Sequence, residues 1–195
     1  MELIKKQIHT NRVGKSIVDQ FYIDDDINVP DSKDDIGRIV MGKGTIAVEE
    51  MQRMENYIRV TGKLHYAVLY VTDGGDPHLA SLEGKHPFEE MVYIEGREGE
   101  QYLLRNSTVE FSASLIHSRK ISLKAMAEIE IGWEKMEDVS LPTDVEEEAP
   151  LYKKTKNMQM LTLQTTKKDT YRIKEEMKLP GTKENIGTLL WTDVE

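Results

Sequence analysis

The residue types that most often catalyse reactions or bind metals are present in this chain, but their spacing does not bring them together. The five histidines are scattered, with no i, i+4 pair and no His-x-His spacing: His9, His65, His78, His86 and His117. Zinc ligands must converge on one ion, and short fixed spacings are the usual sign of that in a sequence. The chain has no cysteine, which removes thiolate ligands, thiol nucleophiles and disulfides. We therefore predict no metal site, no catalytic residue and no bound cofactor.

One short segment is similar to the end of a phosphate-binding loop. Gly42-Lys43-Gly44-Thr45 has suitable residue types, but it lacks the first glycine at the required spacing and precedes a strand. We predict a hairpin turn here. Acidic pairs such as Glu49-Glu50 and Glu89-Glu90 belong to a surface that is acidic throughout, so solvation explains them better than acid–base catalysis does. The sequence thus predicts that the protein is not an enzyme.

The net negative charge of the chain disfavours two classes of binding partner, nucleic acids and anionic membranes. The 195 residues include 26 Lys and Arg against 35 Asp and Glu, which gives a formal net charge of −9. Nucleic acids and anionic membranes attract clustered Lys and Arg, so neither is an expected partner. The N-terminal segment lacks the apolar core of a secretory signal, and the longest nearly apolar run, Tyr66 to Val71, is too short to cross a bilayer. We expect a soluble chain that stays inside the cell.

The dominant hydrophobic period is two residues. Even positions from Ile58 to Tyr70 and odd positions from Ile121 to Trp133 are apolar or glycine, while the intervening positions are largely polar. This alternation is typical of half-buried antiparallel strands, and no comparable pattern occurs at the helical period. We predict a mainly β fold, an antiparallel β-sandwich. Its strands are expected near residues 2–9, 16–27, 44–53, 57–72, 79–94, 101–117, 119–136, 151–164 and 169–179.

The predicted core consists of the apolar side chains on the inward faces of these strands. It contains Ile58, Val60, Leu64, Tyr66, Val68, Val109, Phe111, Leu123, Ala125, Ile129 and Ile131.

Turn-forming residues divide the chain. Asp73–Pro77 and Glu95–Gly99 are predicted hairpin loops, and His117–Lys120 is a predicted polar corner between two strands. In Leu141–Pro150, two prolines flank an acidic run, which is typical of a linker. The expected organisation is a sandwich domain over 1–140, a linker over 141–150 and a third segment over 151–195.

A twelve-residue segment occurs twice, 150 positions apart. Residues 29–40 read VPDSKDDIGRIV and residues 179–190 read LPGTKENIGTLL. The similarity extends backwards, because Phe21, Ile23 and Ile27 correspond to Tyr171, Ile173 and Met177. A repeat of this length indicates a repeated domain, so residues 151–195 are predicted to begin a second copy. Its strands are expected either to dock on their own sandwich or to be donated to another copy of the chain. The alternative is that the chain is a piece of a longer protein with tandem copies of the domain.

The repeated segment has a physical interpretation. A residue that precedes proline is driven to extended geometry, so Val29 and Leu179 should end strands. Ser32-x-x-Asp35 resembles a capping box, which predicts a helical turn, and the glycines allow close backbone approach or positive φ. Both a structural corner and a binding role are open for this motif. Its identical residues are Pro30, Lys33, Ile36, Gly37, Pro180, Lys183, Ile186 and Gly187.

The segment Val-Pro-Asp-x-Lys-x-Asp-Ile-Gly, the long alternating strands, and then Ile116-His117-Ser118-Arg119-Lys120-Ile121 together resemble the SPOCS domain. This domain family occurs in sporulation proteins of Bacillota, including spore coat morphogenetic proteins of the SpoVID and SipL type. The resemblance covers roughly residues 1–140, with a second start in 169–195. It implies a non-catalytic role in building the spore coat or envelope in the mother cell, through protein–protein interaction surfaces.

Two functions from different classes therefore compete. The first is a structural protein of the spore coat or envelope that associates with other coat proteins or with copies of itself, as a homo-oligomer or fibre. It would act in the mother-cell cytoplasm and end at the spore surface. The second is a β-sandwich that binds carbohydrate or peptidoglycan, which needs a cluster of exposed aromatic side chains.

Overall fold

The computed structural model describes residues 2–96, 99–146, 152, 154, 156–159, 165, 167, 169 and 171–193. These residues form seven strands and contain no helix, which confirms the mainly β prediction. The strands are β1 (Glu2–Val13), β2 (Ile17–Asn28), β3 (Ile36–Met54), β4 (Tyr57–Thr72), β5 (Leu79–Tyr93), β6 (Gln101–His117) and β7 (Lys120–Glu146).

The strands form two sheets. One has the order β3-β4-β5, with both neighbouring pairs antiparallel. The other has the order β1-β7-β2, and β6 also pairs with β7. The chain divides into two compact units. The larger unit holds residues 17–96, 103–131 and 176–193, and the smaller unit holds the described residues of 1–16, 97–102 and 132–175.

In the larger unit, the two sheets pack face to face. Side chains of β4 alternate between buried and half-buried along the whole strand, as the period of two predicts. Val68 and Tyr70 of β4 belong to one buried cluster with Ile121 and Leu123 of β7. Aromatic rings also bridge the sheets, since the Phe21 and Phe88 ring centroids lie 5.1 Å apart. The sandwich prediction is confirmed.

Most of the predicted core is buried in this unit. Val109 and Phe111 are half-buried and the remaining predicted core side chains are buried. Further buried apolar side chains come mainly from β2, β4, β5 and β7 and include Phe21, Ile23, Val29, Ile36, Tyr70, Leu82, Val92, Ile94, Ile121 and Ala127.

In the smaller unit, β1 pairs with residues 134–146 of β7. Residues 141–146, which the sequence predicts as the first part of the linker, therefore lie in a strand. The register shifts where Ile4 pairs with Asp144 and Lys5 pairs with Pro142. Proline cannot donate to a β-ladder and is tolerated at such irregularities, which is how the strand continues past it. Residues 147–150 of the predicted linker lie outside the described residues.

The predicted hairpin turn at Gly42–Thr45 is wrong, because β3 runs through these residues without a break. A Cβ atom on Gly42 would lie 2.8 Å from the Phe111 ring, and one on Gly44 would lie 2.9 Å from it. The two glycines therefore leave room for a ring that packs on the strand. The Glu95–Gly99 hairpin is also wrong, because β5 and β6 belong to different sheets. The Asp73–Pro77 hairpin loop is confirmed between the paired strands β4 and β5.

Gly62 provides a test of this packing. A Cβ atom there would lie 2.3 Å from the backbone oxygen of Ala47 and 2.7 Å from the Phe88 ring. Alanine normally stabilises a strand relative to glycine, but at position 62 its Cβ atom must displace the backbone of Ala47. Gly62→Ala is therefore expected to lower the free energy of unfolding by about 1–3 kcal/mol, the usual cost of overpacking. Urea denaturation followed by circular dichroism measures this change.

Gly75→Ala is the matched control for Gly62→Ala. A Cβ atom on Gly75 meets nothing within 4 Å, and Gly75 is not among the positive-φ glycines. Its free energy of unfolding should stay within about 0.5 kcal/mol of the unmodified chain or rise slightly, because loop alanine restricts the unfolded chain. Equal stability of the two variants would contradict the packing around Gly62.

Candidate functional site

The first copy of the repeated motif forms the corner that connects β2 with β3. Lys33 N–H donates to the Pro30 carbonyl over 2.9 Å, which closes a hydrogen-bonded turn of four residues. This is a β-turn and not the predicted helical turn. Val29 before the turn is 4% exposed and Ile36 after it is 1% exposed. The corner therefore anchors one apolar side chain at each end of an exposed polar turn.

Arg119, from the β6–β7 turn, holds this corner together. One guanidinium nitrogen donates to the Lys33 carbonyl at 2.7 Å and to the Asp35 carboxylate at 3.1 Å. The other donates to the Val29 carbonyl and the Asp31 carboxylate, at 3.1 and 3.3 Å. A planar guanidinium can satisfy several acceptors at fixed angles, which a lysine cannot do. One side chain thus contacts both ends of the turn.

The backbone of the same β6–β7 turn completes the corner. Val29 N–H donates to the Arg119 carbonyl and Ile36 N–H donates to the Ser118 carbonyl, each over 2.8 Å. The Ser118 hydroxyl donates to the second oxygen of the Asp35 carboxylate at 3.0 Å. Asp35 is therefore occupied by Arg119 and Ser118, which explains why it does not act in a capping box with Ser32.

The end of β4 closes the other side of the corner. Asp73 N–H donates to the Asp35 carbonyl at 2.8 Å, and a Cβ atom on Gly37 would lie 3.1 Å from the Thr72 carbonyl. Gly37 thus serves a close backbone approach and not a positive φ. The Tyr70 hydroxyl donates to the Asp34 carbonyl at 3.3 Å. Burial, and then the negative charge of Asp34, raise the pKa of Tyr70, so this hydroxyl keeps its proton at neutral pH.

The second copy of the motif makes the same turn without the same surroundings. Lys183 N–H donates to the Pro180 carbonyl over 2.9 Å, the same bond and distance as in the first copy. Leu179 and Ile186, however, are 49% and 62% exposed, whereas Val29 and Ile36 are buried. The described residues 171–193 contain no strand, so the predicted strand over 169–179 is not formed in its described part. Gly187 has open space around it.

The sequence of the second turn differs where Arg119 contacts the first. Gly181 and Asn185 replace Asp31 and Asp35, so the two carboxylates that pair with Arg119 have no counterpart. The sequence placed Arg119 in the family-like segment Ile116–Ile121 but did not predict its contacts with the repeated motif. The sequence contains a cation in the polar corner His117–Lys120 and several aspartates in the segment 29–40, which could have suggested an ion pair. No local pattern, however, connects positions that are more than 80 residues apart.

The structure does not bring the histidines together into a metal site. Within the described residues, there is no group of three or more His, Asp or Glu side chains placed to hold a metal ion. His78 lies 3.5 Å from the Asp34 carboxylate and His86 lies 3.2 Å from that of Asp25. The absence of a catalytic residue and of a cofactor stays a prediction. The same part of the chain contains no helix that is long and apolar enough to cross a membrane.

Residues 35–117 match the family described as SipL, SPOCS domain. The match begins at Asp35 of the corner, ends at His117 before the Ser118–Arg119 turn, and spans β3 to β6. Comparisons with curated proteins and with solved structures gave no match. The family is non-enzymatic and associated with sporulation. Residues 35–117, somewhat less than half of this chain, are thus similar to the SPOCS domain.

Proposed function

We propose that this chain is a non-catalytic structural protein of the bacterial spore coat or envelope. It acts by associating with other coat proteins or with copies of itself, as a homo-oligomer or fibre. Assembly starts in the mother-cell cytoplasm and ends at the spore surface. The match to a sporulation-associated, non-enzymatic domain family supports this class of function.

The observation that carries the proposal is the exposure of the second copy. Tyr171 and Ile173 are 86% and 89% exposed, while their counterparts Phe21 and Ile23 are each 7% exposed. Met177 is 92% exposed as well. Several exposed apolar side chains within one short segment favour an interaction site. In the first copy, β2 is covered by its pairing with β7, and we propose that a strand of an assembly partner covers the second copy.

This proposal predicts that removing the exposed apolar side chains weakens association. In the variant Ile173→Ser/Met177→Ser/Ile186→Ser, the dissociation constant of the oligomer should rise about 100-fold, if each side chain contributes roughly 1 kcal/mol by its burial. Sedimentation equilibrium over a wide concentration range measures this constant.

Lys174→Ser/Glu176→Ser/Lys178→Ser is the matched control, because it changes alternate positions of the same segment and should leave the constant nearly unchanged. Two results would contradict the proposed self-association. They are a full chain that stays monomeric at high concentration and an oligomer that survives deletion of residues 151–195. A fluorescent fusion that fails to move from the mother cell to the spore periphery would contradict the placement on the coat.

A second function, glycan binding, is favoured by one aromatic pair. Tyr57 and Tyr93 lie opposite each other on β4 and β5, are 43% and 57% exposed, and have ring centroids 5.5 Å apart at 71°. Arg59 and Gln52, which hydrogen-bond each other at 2.9 Å, lie nearby on the same sheet and could contact sugar hydroxyls. Retention on purified spore cortex that is lost in Tyr57→Ala/Tyr93→Ala, but not in Tyr22→Ala, would favour this function over coat assembly.

A further inference from the structure

The β3-β4-β5 sheet carries a groove of about 630 Å³ within the larger unit. We call it the outer groove. Its floor is formed by neighbouring positions of the three strands, among them Lys43 of β3, His65 of β4 and Lys85 of β5. Trp191, Thr192 and Asp193 line it as well. Residues 191–193 thus lie against the β3-β4-β5 sheet.

Two contacts hold this segment in the outer groove. The Lys43 ammonium group pairs with the Asp193 carboxylate, and the Trp191 side chain is half-buried. Among the described residues 171–193, Leu190 and Trp191 are half-buried and all the others are exposed. The segment Leu190–Asp193, which we call the docking segment, therefore packs while the described residues just before it do not. An aromatic anchor beside an ion pair is a common composition for a protein interface.

We infer that the docking segment exchanges between its own outer groove and that of a second copy of the chain. This inference rests on the proposed self-association and names the surface that would carry it. An exposed ion pair contributes only about 0–1 kcal/mol, so the intramolecular contact is weak and reversible. Because the docking segment and its own groove belong to one chain, they meet at an effective concentration that grooves of other copies must match.

Exchange therefore depends on crowding. In dilute solution, each docking segment occupies its own groove. In a dense assembly, the concentration of neighbouring grooves approaches the effective concentration, and segments pass to neighbours. Two chains that exchange segments reciprocally form a closed dimer, and one-way exchange forms an open chain. Charge complementarity between Lys43 and Asp193 selects a second copy as the occupant of the groove.

A charge exchange between two variants tests this inference. Lys43→Glu places two carboxylates together within one chain, and Asp193→Lys places two ammonium groups together. Each variant alone should lose the intramolecular contact and stay monomeric. When the two variants are mixed in equal amounts, the unchanged Lys43 of one chain pairs with the unchanged Asp193 of the other. The two introduced side chains, a glutamate at 43 and a lysine at 193, also pair with each other.

The mixture should form a heterodimer at a concentration at least about 10-fold below that at which the unmodified chain dimerises, since intramolecular competition is removed. Native mass spectrometry and sedimentation velocity measure it.

Three further samples make the result decisive. The double variant Lys43→Glu/Asp193→Lys restores the pair within one chain and should dimerise only at the concentration at which the unmodified chain does. Adding Trp191→Ala to both partners should abolish the heterodimer. The pair Lys124→Glu and Asp24→Lys disrupts an ion pair outside the groove, between the paired strands β7 and β2, and their mixture should dimerise no more readily than the unmodified chain. A mixture that stays monomeric, or a heterodimer that persists without Trp191, overturns the inference. If the unmodified chain oligomerises but the mixture does not, this inference fails while the proposed self-association stands.

Discussion

Replacing Val68 with Asp is expected to unfold the larger unit. Val68 is 0% exposed and packs in one cluster with Tyr66, Tyr70 and Leu82. A carboxylate at this position has no cation in the cluster to pair with, and burying it costs several kcal/mol even after its pKa rises. Because a domain is stable by only about 5–15 kcal/mol, this loss approaches the whole free energy of unfolding. The cooperative urea transition and the β-type circular dichroism should both disappear.

Leu69→Asp is the control for the Val68 variant, since it makes a nearly identical chemical change one residue along. Leu69 is half-buried on the opposite face of β4, where a carboxylate keeps contact with water. Its free energy of unfolding should fall by no more than about 2 kcal/mol. The sandwich would be contradicted if both variants unfold at the same urea concentration, or if the unmodified chain gives a helical spectrum.

The strands that the sequence predicted best are those that alternate without interruption. β4 matches its predicted range, and its buried face is the predicted one. β3 was predicted to begin at 44 but begins at Ile36. Its pairing with β4 shifts register between Ile36 and Arg38, between Ile39 and Met41, and between Val48 and Glu50. Each shift reverses which residues face inward, so the alternation on which the prediction depends is lost.

Non-local contacts set the other limits of the prediction. The residues Gly42-Lys43-Gly44-Thr45 indicate a turn when only the local sequence is considered. The reason for the two glycines is the Phe111 ring, which approaches from another strand. Similarly, the six residues 141–146 look like a linker because of Pro142 and the acidic run, yet β1 pairs with them from the opposite end of the chain. A local pattern cannot identify a partner more than 60 residues away.

The repeated motif shows what sequence and structure each contribute. The extended Val29, the turn after Pro30 and the inward Ile36 follow from local preferences, and the second copy repeats the turn at Lys183. Burial of the first copy depends on β7 and on the Ser118–Arg119 turn, which supply its hydrogen bonds and its apolar cover. The described residues of the second copy have no such strand beside them. The same local sequence therefore gives the same turn with opposite exposure.

Replacing Arg119 with Ala is expected to loosen the first corner strongly. The change removes four contacts and leaves the Val29 and Lys33 carbonyls and the Asp35 carboxylate without their guanidinium partner. The Arg119 side chain is 30% exposed, so water replaces part of what is lost. We expect the free energy of unfolding to fall by about 2–3 kcal/mol, the usual range for a few charge-assisted hydrogen bonds at a partly buried site. Thermal and urea denaturation measure the change.

Amide hydrogen exchange in Arg119→Ala shows whether Arg119 stabilises the corner or only lies in contact with it. The Val29 and Ile36 amides donate to the backbone of the Ser118–Arg119 turn, so both should exchange faster in Arg119→Ala. Arg119→Lys keeps the positive charge but cannot reach several acceptors at once, and it should recover less than half of the lost stability. Lys124→Ala, which removes an exposed pair with Asp24 at 3.6 Å, should change stability by less than about 0.5 kcal/mol. If Arg119→Ala matches Lys124→Ala in stability and in amide exchange, the Pro30 turn is held by its backbone and apolar anchors alone, and the corner is independent of the guanidinium.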